Sequence, residues 1–275
     1  MAETLRAAIA RAAAAFAEFS DTGRLDAELL AAHALGVSRD ALLLGRLDDA
    51  VPAGFAALVA RRLAHEPVAY IVGRRDFWTV SLAVGPGVLV PRADSETLIE
   101  AAVEHFAGTA GPRSVLDLGT GSGALLLAAL DQWPRARGVG VDASPAAVAI
   151  AAGNAAILGM AARAEIRPGG WEGDGRAHDL VLCNPPYVEA GAALPREVAG
   201  HEPASALFAG ADGLDDYRRL APLIGAQIAP GGVACIEIGS AQAESAGALF
   251  RAAGLRVALR PDLAGRPRCL VVTTA

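Results

Sequence analysis

Read for the spacing of apolar and polar positions, the chain divides into two halves with different periods. Up to about residue 65 the apolar positions recur at helical spacing. Leu5, Ile9, Ala12, Phe16 and Phe19 line one face of an alanine-rich segment over 3–19 that Ser20-Asp21-Thr22-Gly23 interrupts. Gly36 ends a second helix over 25–35, Ser38 caps a third over 39–44, and Pro52 opens a fourth that runs to about His65. Four helices with short connections predict a small bundle. Over 67–91 the pattern changes to Gly, Pro, β-branched and aromatic residues. Tyr70-Ile71-Val72, Phe77 to Val84 and Val88-Leu89-Val90 are expected as short strands, a hairpin-like bridge between two domains. Asp94 or Ser95 is placed to cap a helix over 96–106.

From residue 113 strands and helices alternate. Strands are expected at 114–118, 139–142, 164–167, 179–183, 232–238, 255–259 and 268–273, with helices at 124–131, from Ser144 to near Gly159, 214–228 and 241–253. A loop of about twenty residues follows Tyr187. Such alternation predicts an α/β domain whose mostly parallel sheet is covered on both faces. The domain boundaries expected are 1–75 for the helical domain, 76–91 for the hairpin linker and 92–275 for the α/β domain.

Composition narrows the chemistry. All 24 basic residues among the 275 are arginine, which excludes lysine Schiff bases and a phosphate loop ending in Lys-Ser or Lys-Thr. A net charge of −6 disfavours extended wrapping of nucleic acid. Cys183, Cys235 and Cys269 are widely spaced, which suits a reducing compartment and makes no zinc motif. Met1-Ala2-Glu3 lacks the basic head of a leader, and no apolar run reaches the roughly 20 residues of a membrane span. A cytoplasmic chain is expected.

Two motifs carry chemistry. Asp117-Leu118-Gly119-Thr120-Gly121-Ser122-Gly123 joins a strand to a helix, and its glycines permit a tight turn and close ligand approach. Asp142, nineteen residues after Gly123, ends the next strand, where a carboxylate accepts both hydroxyls of a nucleoside ribose. The bland alternative is a sharp turn beside a surface aspartate. Asn184-Pro185-Pro186-Tyr187 closes the buried run Leu180–Cys183. The prolines hold it extended, and an asparagine oxygen with a proline carbonyl can take both protons of a planar –NH2. Tyr187 offers a flat face to an amide or base; the bland alternative is a rigid turn. The remaining candidates read as structural: His33, His65, His105 and His178, and the packing residues Trp78 and Trp133. Arg6, Arg11, Arg61 and Arg62 read as solvated helix charges, and Arg92 as a partner for Glu96 or a group near the cleft.

Together these residues resemble class I S-adenosylmethionine-dependent methyltransferases that act on nitrogen. The motif Asn184-Pro185-Pro186-Tyr187 is shared by adenine-N6 methyltransferases and by the N5-glutamine methyltransferases of peptide chain release factors. Further segments are similar to the second family: Pro91-Arg92-Ala93-Asp94-Ser95-Glu96, Phe77-Trp78, His201-Glu202-Pro203 with Ala206-Leu207, and Gly213-Leu214. The resemblance implies a Rossmann-like seven-stranded sheet behind a helical domain that docks substrate. It implies a cofactor site of Asp117, Gly119, Thr120, Gly121, Ser122, Gly123, Asp142, Trp171 and Asn184, with no metal. Asn184, Pro185 and Tyr187 would serve catalysis, and Asn184, Pro185, Pro186 and Tyr187 would hold the glutamine of a release factor's Gly-Gly-Gln motif. The chain would act as a monomer without a stable nucleic-acid or membrane partner. It departs from the family's pattern at Gly170, where an acidic residue is usual, at Ser95 for threonine, and at His201 for arginine or tyrosine. An adenine-N6 methyltransferase and a non-catalytic scaffold are the competing readings.

Overall fold

The computed structural model describes residues 3–274. Met1 and Ala2, on which the expectation of no leader rests in part, lie outside the described residues. The chain forms two compact units. One comprises the chain up to Arg74 together with Leu194–His201, and the other comprises Arg75–Ala193 and Glu202–Ala275.

The first unit is helical. α1 (Leu5–Phe16) starts where the Thr4 hydroxyl accepts from the Ala7 N–H, and α2 (Gly23–Leu35) stops at Gly36 in the left-handed region. Ser38 caps α3 (Arg39–Gly45), and α4 (Phe55–Leu63) follows. Leu5, Ile9, Phe16, Leu30 and Leu42 are fully buried in the core between them. Tyr70-Ile71-Val72 is a correction to the strand expected there: it lies in α5 (Val68–Val72). Pro67 opens that turn, left-handed Gly73 closes it, and burial of Tyr70 and Ile71 outweighs the β preference of the side chains. Arg62 is a second correction. Far from solvated, it is 3% exposed and ion-paired to Asp26 at 2.9 Å and to Glu197 at 2.5 Å, with its guanidinium 5.1 Å from the Phe19 ring centre. Glu197 lies on the short α9 (Arg196–His201), a helix inside what the sequence pattern gives as a loop.

The second unit is α/β. β1 (Arg74–Phe77) and β2 (Val80–Ala83) form a hairpin that turns at Trp78, so Phe77 to Val84 is not one strand. Val88-Leu89-Val90 joins no ladder, again unlike the expectation. α6 (Glu96–His105) leads into β3 (Ser114–Leu118), α7 (Ala124–Gln132), β4 (Arg137–Asp142), α8 (Pro145–Ile157) and β5 (Ala164–Pro168). β6 (His178–Cys183), α10 (Asp215–Gln227), β7 (Ile228–Glu237), α11 (Ala243–Ala252), β8 (Arg256–Pro261) and β9 (Pro267–Thr273) complete it. The seven-stranded sheet has the order β5-β4-β3-β6-β7-β9-β8, with β9 antiparallel to both neighbours.

Successive side chains face opposite sides of the sheet. Val115, Leu180, Leu182, Val233 and Cys235 pack with α6, α7 and the hairpin, whereas Leu116, Leu118, Val181, Cys183, Ala234 and Ile236 pack with α10 and α11. Both faces are covered, so β3, β6 and β7 read as continuous apolar runs. The chain builds outward from β3 to β5, then returns to place β6 on the other side of β3. The crevice at the carboxyl ends of β3, β4 and β6 is therefore the topological switch point, where open α/β sheets bind ligands. Among the described residues no helix is long and apolar enough to cross a membrane.

Candidate active site

A cavity of about 400 Å³ opens at that switch point. Its walls include Gly119, Thr120, Gly121 and Ser122 from the turn after β3, Asp142 from the end of β4, Trp171 from the loop after β5, and Asn184 and Pro186 from the loop after β6. These eight expected site residues are brought together. Asp117, Gly123, Pro185 and Tyr187 are not among its lining residues.

The glycine turn is held by its own neighbourhood. Gly119, Gly121 and Gly123 have φ of 68°, 55° and 84°, a region where side chains strain the backbone. The Asp142 carboxylate accepts from Gly121 N–H and from Ser144 N–H, each at 2.8 Å, which fixes the spacing between the two strand ends. Asp117 sits beneath the turn, 1% exposed, its Oδ2 accepting from the Thr120 hydroxyl at 2.6 Å and from Leu126 N–H at 3.2 Å. Burial pushes its pKa up to about 7, against the pull of those two donors and with a further push from Asp142. Asp117 Oδ1 has no partner among the described residues. Asp117 thus supports the turn from beneath it.

Trp171 donates from Nε1 to Asp216 Oδ1 at 3.1 Å, and its carbonyl accepts from Gln227 at 2.7 Å. A Cβ on Gly119 would lie 3.4 Å from the Trp171 ring, an ordinary contact, so what calls for glycine there is its positive φ. At Gly170 a Cβ would come within 2.8 Å of Glu172 Oε2, so the Glu172 carboxylate already covers the place of the family's usual acidic residue. Arg92 is not paired with Glu96: it donates to Glu202 at 2.6 Å, and Glu96 accepts from Trp78 N–H at 2.8 Å.

The loop after β6 is held from a distance. Asn184 Nδ2 donates to the Ser95 hydroxyl at 3.2 Å. Ser95 stands at the start of α6, yet its side chain makes no cap bond and serves Asn184 instead of the helix end expected of it. The Tyr187 hydroxyl donates to Glu237 Oε1 at 3.1 Å, and the Tyr187 carbonyl accepts from Gln242 Nε2 at 3.0 Å. Burial and the Glu237 carboxylate push the Tyr187 pKa up, so its hydroxyl remains a donor. Glu237, Gln242 and Asp216 went unseen in the sequence pattern. A carboxylate closing the buried run Val233–Ile236 is the signal that would have found the first. Among the described residues no three His, Cys, Asp or Glu side chains converge on a metal position.

The switch-point cavity, the glycine turn and the strand-end aspartate on this sheet define a class I methyltransferase. Among solved structures, a methyltransferase from Pyrococcus furiosus superposes with a TM-score of 0.53 at 15% identity, covering 78% of this chain and 95% of that one. The Thermus thermophilus 16S rRNA N2 G1207 methyltransferase, solved with AdoMet and guanosine, gives 0.51 at 19%, covering 74% and 50%. These likenesses concern the fold alone. The family model of the PrmC N-terminal domain matches residues 7–73, and that of the methyltransferase small domain matches residues 94–201. The release factor glutamine methyltransferase of Rhodospirillum rubrum is 44% identical over 257 residues, 90% of this chain and 78% of the relative. That of Cereibacter sphaeroides is 45% identical over 276 residues, 97% and 96% of the two chains. The chain belongs to the release factor glutamine methyltransferase family.

Proposed function

We propose that this protein transfers the methyl group of S-adenosyl-L-methionine to the side-chain amide nitrogen of the glutamine in a release factor's Gly-Gly-Gln motif. The products are N5-methylglutamine and S-adenosylhomocysteine. The observation that carries the reading is the Asn184 amide at the cavity wall, held on its Nδ2 side by Ser95, which leaves the oxygen side for a substrate.

The residues present fit the cofactor. Asp142 spends one lone pair of each oxygen on the backbone and retains others for ribose hydroxyls. Trp171, Leu125 and Ala147 offer apolar surface for a planar base. Bound there, the cofactor supplies an electrophilic methyl group on a sulfonium. An amide nitrogen is a poor nucleophile because its lone pair is delocalised, so the chain's own contribution is placement. Asn184 Oδ1, with the Pro185 carbonyl beside it in sequence, accepts the amide protons and holds the nitrogen in line. Restricting that group to one orientation is worth several kcal/mol of barrier. Acceptors aimed at an –NH2 that gains positive character favour the transition state over the ground state. The methylated amide then loses its proton readily, and no tuned base is needed. The helical unit is assigned to docking the release factor, since the cavity is built wholly from residues after Arg75.

The test is transfer of labelled methyl from the cofactor to purified release factor, to a release factor with the Gly-Gly-Gln glutamine replaced, and to duplex DNA. Label in the intact factor and not in the other two is expected. Label in DNA instead overturns the reading.

A further inference from the structure

Trp171 is held at three points, and one of them is a carboxylate. The benzene edge of its indole lies beside the glycine turn, 3.4 Å from where a Cβ on Gly119 would stand. Its carbonyl accepts from Gln227 Nε2 at 2.7 Å, and its Nε1 donates to Asp216 Oδ1 at 3.1 Å. Asp216 belongs to the first turn of α10, is 8% exposed and lines the same cavity as the ring. Both hydrogen bonds it accepts from side chains, from Trp171 and from Arg219 Nη1 at 3.4 Å, fall on Oδ1, which leaves Oδ2 without one among the described residues. Resting on the cofactor reading given above, we propose that Asp216 is a specificity-determining residue for the cofactor's base: one oxygen fixes the indole, and the other accepts from the exocyclic amine of adenine.

The strand order lays out the cavity. β5, β4, β3 and β6 are neighbours in that order, and their carboxyl ends lead to Trp171, Asp142, the glycine turn and Asn184. With the ribose on Asp142 and the reacting methyl at Asn184, the base lies toward β5, on Trp171. A planar base stacked on an indole brings its polar edge to the rim of the ring, and Asp216 is the group bonded to that rim. Adenine carries an –NH2 donor there, and a carboxylate has only lone pairs to offer, so the pairing selects the amine. A charged acceptor also makes the stronger bond. Among the described residues Asp142 and Asp216 are the two carboxylates on the cavity wall. Asp142 is committed to Gly121 N–H, Ser144 N–H and the ribose, and Glu172 is exposed and off the wall. Arg219 also lines the cavity, but a guanidinium has donors only and cannot take the protons of an amine.

The test is calorimetric binding of S-adenosylhomocysteine and of its 6-deamino analogue, in which hydrogen replaces the adenine amine. Wild type should bind the amine-bearing compound about tenfold more tightly or better, the effect of one charge-assisted hydrogen bond. Asp216→Asn keeps the shape but has one oxygen for two donors, so the preference should shrink to within about threefold. Adding Trp171→Phe to Asp216→Asn removes the competing indole donor, and the preference should rise again. Glu172→Gln should leave it at the wild-type value. A role limited to packing α10 changes both affinities together and leaves their ratio alone. An undiminished preference in Asp216→Asn, or a preference lost in Glu172→Gln, overturns the proposal. Should Asp216→Asn not fold, wild type still decides: equal affinity for the two compounds overturns the role of Asp216 and leaves the cofactor reading standing. If wild type binds neither compound, the cofactor reading fails and the role of Asp216 with it.

Discussion

The turn after β3 and the loop after β6 face each other across one cavity, yet they are held in opposite ways. The glycine turn is fixed by groups close by in the chain: Asp117 holds Thr120 three residues on, and Asp142 holds Gly121 and Ser144. The Asn184–Tyr187 loop is fixed by side chains 89, 50 and 55 residues away, Ser95, Glu237 and Gln242. The cradle on the first side is held mainly by its own two strand ends, with Asn154 Nδ2 from α8 donating to the Ser122 carbonyl at 2.8 Å. The reacting side forms only when α6, β7 and the turn after β7 are all in place. A substitution behind the loop should therefore damage the chemical step while sparing the cradle, and one in the cradle should do the reverse.

Asn184→Ala breaks this contrast most severely if it is wrong. The amide nitrogen of the substrate loses one of its two acceptors, and a small misplacement costs about a hundredfold in rate. Single-turnover transfer should fall by about that factor or more, with S-adenosylhomocysteine binding by calorimetry little changed. A matching loss of cofactor affinity would mean that the two sides of the cavity are not separately built.

Next in size is a pH effect on the cradle. Asp117 has a folded pKa of about 7, above its ordinary value, so the folded state keeps a proton that the unfolded chain has already released. Stability from this group is present below the unfolded pKa and is lost as pH rises toward 7. Denaturant melts of wild type and Asp117→Asn at pH 5 and pH 7 should show wild type losing about 2 kcal/mol more than the variant across that interval. Parallel curves would show that Asp117 is not held protonated beneath the turn.

The smallest effect expected is that of Asp142→Ala on cofactor affinity, about 1–2 kcal/mol weaker for S-adenosylhomocysteine through loss of charge-assisted hydrogen bonds. The rate at saturating cofactor should change less than in Asn184→Ala. An unchanged dissociation constant in the folded variant would remove Asp142 from the cradle.

What could be read from the chain follows the same division. The order of strands and helices, the glycine turn, its partner aspartate and the Asn184–Tyr187 motif were legible because local periodicity and short spacings determine them. Left-handed glycines, a strand-end carboxylate and a proline pair have their conformational meaning wherever they sit. Misread segments were those where packing overrides local preference. Tyr70–Val72 has strand-forming side chains but is wound into a helix between Pro67 and Gly73, and Arg62 looks like a surface charge until Asp26 and Glu197 converge on it. Ser95 looks like a helix cap, and its actual partner, Asn184, lies on another strand end. Hydrogen-bond partners far apart along the chain leave no periodic trace, because each is an ordinary polar residue until the sheet order sets β6 against β7. The sequence by itself determined which groups could meet a cofactor and an amide. Only the tertiary structure decided which partners hold those groups, since bonds such as Asn184 to Ser95 and Tyr187 to Glu237 join residues that are far apart until the sheet assembles.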